Sequence, residues 1–303
     1  MGRNIPSLIS LASFFAQRWI FRKRSPLLAS FKLTYQCNLK CLACPFHHRP
    51  ESRSQRMRWS LAIDTLQKLK QMGTRIVVFE GGEPFLWHDG SFDIRDIVRY
   101  ARRHFLRVAV TTNGTFPLNV PSDGLWVSLD GLKETQDRLR SGSFDQVWVN
   151  LLQTAHPRLR VHITLNRYNW RELEGLLKQL QQIPAVKGTT IQFFYPYGQG
   201  EDDLELSQDD RRAATEEILK LKKYYPIFNS AGCLKAMMEQ RWICRDDMLV
   251  NVDPDGTITQ GCYVRSRGTI NCQACGFTPV AEAFMALDGS PGAMLAGWRA
   301  YFG

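Results

Sequence analysis

The chain lacks an apolar run long enough to cross a bilayer, which takes ~20 residues. Its nearest approach lies in residues 5–21, where the uncharged stretch ends at Arg18. The cluster Arg22-Lys23-Arg24 follows the apolar residues instead of preceding them, and no cleavage site comes next. Export is therefore not expected and a cytoplasmic protein is. Acid is scarce at this end: residues 1–58 hold eleven Lys or Arg and one acidic residue, Glu51, which accounts for the whole formal charge of +10. An anionic partner is expected there, whether membrane lipid, phosphorylated substrate or acidic reductase, beside the reading of a solvated arm. Outside this segment no basic and aromatic residues interleave along a strand or helix, which removes nucleic acid as a partner. At 303 residues and 44% hydrophobic, the chain suits one large α/β domain with an appendage.

Cysteine is not lacking. There are eight, and three of them form Cys37-Asn38-Leu39-Lys40-Cys41-Leu42-Ala43-Cys44, a C-x3-C-x2-C spacing. A tight loop can turn three thiolates toward one point, where soft sulfur ligands favour iron and sulfide. A fourth ligand is missing from the loop, so a four-iron cubane would keep one iron open, whereas structural zinc usually takes four protein ligands. The spacing points to chemistry, and a long chain with thiols so disposed suits a reducing compartment.

Residues 28–35 are expected as the first strand, delivering Cys37 to the loop beyond its carboxyl end. Ser60 is expected to cap a helix carrying Leu61, Ile63, Leu66 and Leu69, which Gly73 closes. Residues 75–79, 107–110, 124–129, 159–165 and 189–194 supply five more strands, and residues 92–104 another helix. Over residues 170–183, Leu173, Leu176, Leu177 and Leu180 fall on one face of a 3.6-residue period. Six strands with intervening helices imply parallel βαβ units, whose ligands bind beyond the carboxyl ends. A further helix, capped by Ser207 with Asp210 at the capping-box position, carries Ala214, Ile218, Leu221 and Tyr225 and joins a C-terminal extension. The expected division is 1–28, 29–205 and 206–303.

In chain order, the cysteine loop, Glu80-Gly81-Gly82-Glu83-Pro84, Thr112-Asn113-Gly114 and Ser128-Leu129-Asp130-Gly131 resemble the radical S-adenosylmethionine (SAM) superfamily over roughly residues 29–200. The resemblance implies a partial (β/α)6 TIM-like barrel, with Cys37, Cys41 and Cys44 holding a [4Fe-4S] cluster at its mouth. In that family the open iron chelates SAM, and one electron, from a donor such as flavodoxin or ferredoxin, cleaves it to methionine and a 5′-deoxyadenosyl radical that abstracts hydrogen. Gly81, Gly82, Glu83 and Pro84 are the implied contacts of the methionyl ammonium, the glycines placing no Cβ between backbone and ligand. Asn113, Ser128, Asp130 and Asn166 end strands, so each is either a contact of the SAM ribose and carboxylate or a turn residue. Ala43 departs from the family, which usually has an aromatic residue there to lie against adenine; Phe46 is the expected replacement.

The tail carries Cys233, Cys244, Cys262, Cys272 and Cys275. Cys272 and Cys275 form a common metal-ligand pair, and Cys244 and Cys262 frame the turn Asp253-Pro254-Asp255-Gly256. These four can enclose one metal centre. The pattern resembles the SPASM and Twitch extensions of radical SAM enzymes, which implies a second [4Fe-4S] cluster, while zinc is satisfied equally well by four cysteines. Cys233 is a spare thiol, a substitute fifth ligand or a buried small side chain. His47 and His48 either face the cluster or belong to a basic surface. In residues 5–24, Ile5, Leu8, Leu11, Ala12, Phe15 and Trp19 approximate a helical stripe with two readings. One is a helix packed over the barrel's open end. The other is an interfacial helix with Phe14, Phe15, Trp19 and Phe21 in lipid and Arg18 to Arg24 at headgroups. Residues 275–281 loosely resemble the tail of adenosylhopene synthase-type enzymes. The leading expectation is thus hydrogen abstraction from a lipid or isoprenoid, with a peptide or protein maturase second and a noncatalytic iron-sulfur or zinc protein third.

Overall fold

In the computed structural model, which describes residues 4–44, 55–196, 202–239, 241–262, 272 and 275–303 and side chains from residue 9 onward, strand β1 (Leu28–Lys32) buries Ala29 and Phe31 on one face and carries Ser30 and Lys32 on the other. The alternation continues in β2 (Ile76–Glu80). After a short hairpin, β3 (His88–Asp89) and β4 (Phe92–Asp93), it recurs in β5 (Arg107–Thr112), β6 (Gly124–Ser128), β7 (Leu159–Leu165) and β8 (Val186–Phe193). These six long strands run parallel in the order β1-β2-β5-β6-β7-β8, a partial TIM-like barrel. The tail extends the sheet: β9 (Leu249–Val252) pairs parallel with β1, and β10 (Ile258–Gln260) pairs antiparallel with β9.

The outer faces carry Phe31, Val77, Phe79, Val110, Val127, Val161 and Ile163 into one core with the helices that cover them. Those helices include α2 (Trp59–Met72), α3 (Ile94–His104), α5 (Phe144–Gln153) and α6 (Leu173–Leu180), the α4 turn (Lys133–Leu139) contributing near the mouth. The α6 leucines that set its helical period are all buried, each worth about 2 kcal/mol in transfer from water. Two helix starts differ from expectation. Helix α2 begins at Trp59, ahead of Ser60, because the Asp89 carboxylate accepts the Trp59 N–H at 2.7 Å and supplies a cap from across the fold. Phe92 lies in β4, and the capping box of Asp93 and Asp96 starts α3 only at Ile94.

The inner faces have a different floor. Ile76, Val78, Ala109 and Trp126 pack with Tyr301, which ends α10 (Pro291–Tyr301). Arg107 of β5 and Arg160 of β7 donate to the carbonyls of Tyr301 (3.0 Å) and Arg299 (2.8 Å), satisfying acceptors that a helix end leaves open. The mouth therefore lies at the other, carboxyl end.

Helix α7 (Gln208–Leu221) starts as expected, with Ser207 accepting the Asp210 N–H, and leads to α8 (Ala231–Met238). Helix α1 (Asn4–Trp19) lies beside α9 (Thr278–Leu287), with Phe14 buried against Met248 and Leu287. Its Arg18 pairs with Asp247 at 2.6 Å, and Trp19 Nε1 donates to Leu287 O at 2.8 Å. Leu27 and Met248, which flank this contact, precede β1 and β9, so α1 sits at the amino ends of the strands and not over the mouth. Phe14 and Arg18 point into protein; Ile20 and Phe21 are exposed. Among the described residues no helix is long and apolar enough to cross a membrane.

Candidate SAM and iron-sulfur site

Beyond β1 the chain passes through Thr34, Tyr35 and Gln36 to Cys37, and the glycine turn after β2 lies directly on this segment. Gly82 N donates to Thr34 O at 3.0 Å and Glu83 N to Gln36 O at 2.7 Å. A Cβ on Gly82 would stand 2.2 Å from Gln36 O, and Gly81 has φ +120° with Lys32 Cγ 2.8 Å from its would-be Cβ. The glycines are thus required first by backbone meeting backbone. Glu83 is fully buried: one oxygen accepts from Thr112 Oγ1 (2.7 Å) and Phe85 N (3.1 Å), the other from Asn113 N (2.8 Å). Burial pushes its pKa up to about 7 against those three donors. Pro84 is buried at the start of the following turn. One carboxylate therefore ties the end of β5 to the turn that braces Cys37.

The cysteine loop is anchored at two more points. Lys40 N donates to Ser141 Oγ (2.9 Å) and Leu42 N to Leu139 O (3.0 Å), while Cys44 N closes a turn on Cys41 O (3.2 Å). Cys37 Sγ accepts from Leu39 N at 3.4 Å and Asn113 Nδ2 at 3.6 Å, donors that suit a thiolate. Burial raises the thiols, Cys37 to about 11 and Cys41 to about 12; the neighbouring sulfurs raise them further and Arg140 opposes at Cys41. Three thiols near enough to repel one another as anions fit an iron-sulfur cluster, whose positive irons reverse that cost. Among the described residues no three His, Cys, Asp or Glu side chains group as ligands of a single ion.

Asp130 and Asn166 prove heavily engaged within the protein. Asp130 accepts Thr164 N (2.7 Å) with one oxygen and Arg140 Nε (2.6 Å) with the other. Asn166 is buried in a turn where its Oδ1 accepts Tyr168 N at 2.9 Å. Ser128 is buried on the inner face of β6, in register with His162. Ala43 packs among Leu139, Phe194, Leu204 and Tyr168. Phe46, His47 and His48 lie outside the described residues.

Two functional candidates were not singled out from the sequence. Arg140, held by Asp130, places its cation beside Cys41 and Cys44; only its position in the loop after α4, against the cysteine loop, reveals this. Lys32 is fully buried on the inner face of β1, where Nζ donates to Asn251 Oδ1 at 2.9 Å; a lysine at an inward strand position was the available signal. Asn251 Nδ2 in turn donates to Gly261 O at 2.7 Å, next to Cys262, and the Tyr35 hydroxyl donates to Asp253. These bonds fasten the tail hairpin to the strand that leads to Cys37.

In the tail, Gly256 turns the hairpin at φ +86°, and Cys262 N donates to Asp246 Oδ2 at 3.3 Å, two residues past Cys244. Cys275 is raised by burial first, with smaller upward contributions from Cys262 and Cys272; its N–H meets Cys272 O at 3.3 Å. The segment is docked on β8, where Phe193 N donates to Gly276 O at 3.0 Å. Cys233 stands apart, buried on α8 with Met237 and Ala281.

The family model described as the radical SAM superfamily matches residues 31–210. The AdoMet-dependent heme synthase of Methanosarcina barkeri is 27% identical over 84% of this chain and 78% of that protein. The antilisterial bacteriocin subtilosin biosynthesis protein AlbA of Bacillus subtilis is 29% identical over 61% of this chain; the chain spans 43% of that relative's length. Streptococcus suis SuiB, solved bound to S-adenosylmethionine and to precursor peptide SuiA, is alike in fold, with TM-scores of 0.65 and 0.64 at 16% identity. The two comparisons cover 79% and 85% of this chain and 61% and 65% of that one.

Proposed function

The chain belongs to the radical SAM superfamily, and on that premise we propose that it modifies a peptide or protein at the mouth of its barrel. The observation that carries this reading is the tail hairpin, which ends at Cys262 and is joined through β9 to β1, the strand leading to Cys37. A second set of thiols is thereby tied to the strand that leads to the first, Cys262 following β10 back toward the amino end of β1. The relatives lend support, since one is a bacteriocin biosynthesis protein and the similar fold of SuiB was solved with a precursor peptide. A lipid substrate has no comparable support: neither aligned relative is named for one, and α1 lies away from the mouth.

With a [4Fe-4S] cluster and SAM bound, the site would gain one-electron chemistry, an external donor supplying the electron and SAM the 5′-deoxyadenosyl radical that abstracts hydrogen. Cys37, Cys41 and Cys44 would ligate that cluster. Leu39 N–H and the Asn113 amide donate to the Cys37 sulfur and oppose the burial that raises it, and Arg140, fixed by Asp130, sets a positive charge beside Cys41 and Cys44. Gly81, Gly82, Ser128 and Asn166 are assigned to the SAM side of the mouth, with Glu83 and Pro84 bracing the turn. Cys244, Cys262, Cys272 and Cys275 are assigned to a second [4Fe-4S] cluster. A second reading, chemistry on an iron tetrapyrrole, is favoured by the heme synthase relative, which aligns over most of the chain.

Anaerobically reconstituted protein given dithionite and SAM should release 5′-deoxyadenosine, and changing Cys37, Cys41 and Cys44 together to Ala should abolish release while iron remains in the tail. Unchanged release from that variant would refute the assignment. Co-expression with candidate precursor peptides should give a mass change of the peptide; turnover of an iron tetrapyrrole with no peptide change would favour the second reading.

A further inference from the structure

Glu80 stands one residue before the glycine turn and shares the inner face of β2 with Ile76 and Val78, so it looks into the chamber above the apolar floor. Its charge is felt at the Tyr301 hydroxyl, which rises from that floor. One carboxylate oxygen accepts the Ser30 hydroxyl; among the described residues nothing bonds the other. On β8, at the far side of the sheet, Gln192 donates to Thr164 Oγ1 at 3.1 Å, and among the described residues the donor near its buried Oε1 is the His162 imidazole. The cations of the chamber are engaged by contrast. Lys32, opposite Glu80 in the register of β1 and β2, donates to Asn251, Arg140 to Asp130, and Arg107 and Arg160 to the end of α10.

The chamber therefore offers acceptors, one of them charged, while its donors are committed. Unmade hydrogen bonds in a confined site are costly, and a charge-assisted bond is roughly twice as strong as a neutral one. We propose that Glu80 receives a positively charged, hydrogen-bond-donating group of the substrate, an ammonium or guanidinium, with Gln192 as a second acceptor. The inference rests on the peptide reading and names the side-chain class that enters.

The test uses full-length, cluster-loaded protein with SAM and, as probes, glycine pentapeptides with a central lysine, leucine or glutamate. The lysine peptide should bind about tenfold more tightly than the glutamate peptide. Glu80→Gln should bring the two within about twofold, and Gln192→Glu should widen the gap. Thermal unfolding checks that both variants fold, and if Glu80→Gln does not, Gln192→Glu decides. No binding of the lysine peptide, equal binding of all three, a lysine preference that survives in folded Glu80→Gln, or no widening in Gln192→Glu overturns the proposal. Mass change of a precursor peptide by the unaltered protein is scored separately, so a modified precursor without lysine preference defeats this inference and leaves the peptide reading standing.

Discussion

Glu83 shows how one side chain can serve geometry and titration at once. Three donors converge on it, from Phe85, Thr112 and Asn113, but it is removed from water, and burial outweighs them and lifts its pKa to about 7. A carboxyl whose folded pKa exceeds its unfolded value of 4.5 holds its proton more tightly in the native state. It therefore stabilises the fold fully below about pH 4.5, and that contribution is lost as pH rises through about 7. Other buried groups pull elsewhere: His156 and His162 are lowered to about 4 by burial and favour the fold as pH rises. The comparison with Glu83→Gln isolates the carboxyl. In urea unfolding of iron-free protein, the stability of the unaltered chain relative to the variant should fall between pH 4.5 and 7.5 by about 3 kcal/mol. A difference that stays constant over that range would show that Glu83 is ionised throughout.

At the scale of elements, what could be read depended on whether the information was local. β7 matches the expected residues 159–165 because an alternation of apolar and polar residues from Leu159 to Leu165 marked both its ends, and Gly73 closes α2 in the left-handed conformation expected of it. The α2 start was misplaced because its cap, Asp89, comes from a different part of the chain, and no local pattern reports such a partner. The pairing of β9 with β1 was hidden for the same reason. At the site, the cysteine spacing and the glycine turn were legible, whereas Arg140 and the Lys32–Asn251 bond emerged only when distant segments met. Helix α1 illustrates the limit, since its aromatic stripe was equally compatible with lipid and protein. Burial of Phe14 against Met248 and Leu287 implies that Phe14→Ala costs about 3 kcal/mol, while Phe21→Ser, at an exposed position, changes little. Urea midpoints of the two variants check this. Equal, small effects would mean that α1 is not docked on α9.

Among the described elements, α10 closes the barrel from below. Arg107 and Arg160, both almost wholly buried, reach the carbonyls at the end of α10, and the Phe302 ring lies 4.1 Å from the Arg107 guanidinium. Two cations are kept beneath a hydrophobic floor by a helix end whose partial negative charge suits them. Removing residues 299–303 would take away those acceptors and the Tyr301 ring together, leaving guanidinium groups among whose remaining acceptors are Leu106 O and Arg158 O, just ahead of their own strands. Loss of a buried charge's partner costs about 3–5 kcal/mol, so the shortened chain should unfold at markedly lower urea. If unpaired charge is the cause, adding Arg107→Met and Arg160→Met to the shortened chain should recover part of the loss, because apolar side chains of similar length need no acceptor. If it is chiefly the lost aromatic packing, the added changes should recover nothing. A shortened chain as stable as the full one would mean that α10 does not close the floor, and the chamber that Glu80 faces would then be open at both ends.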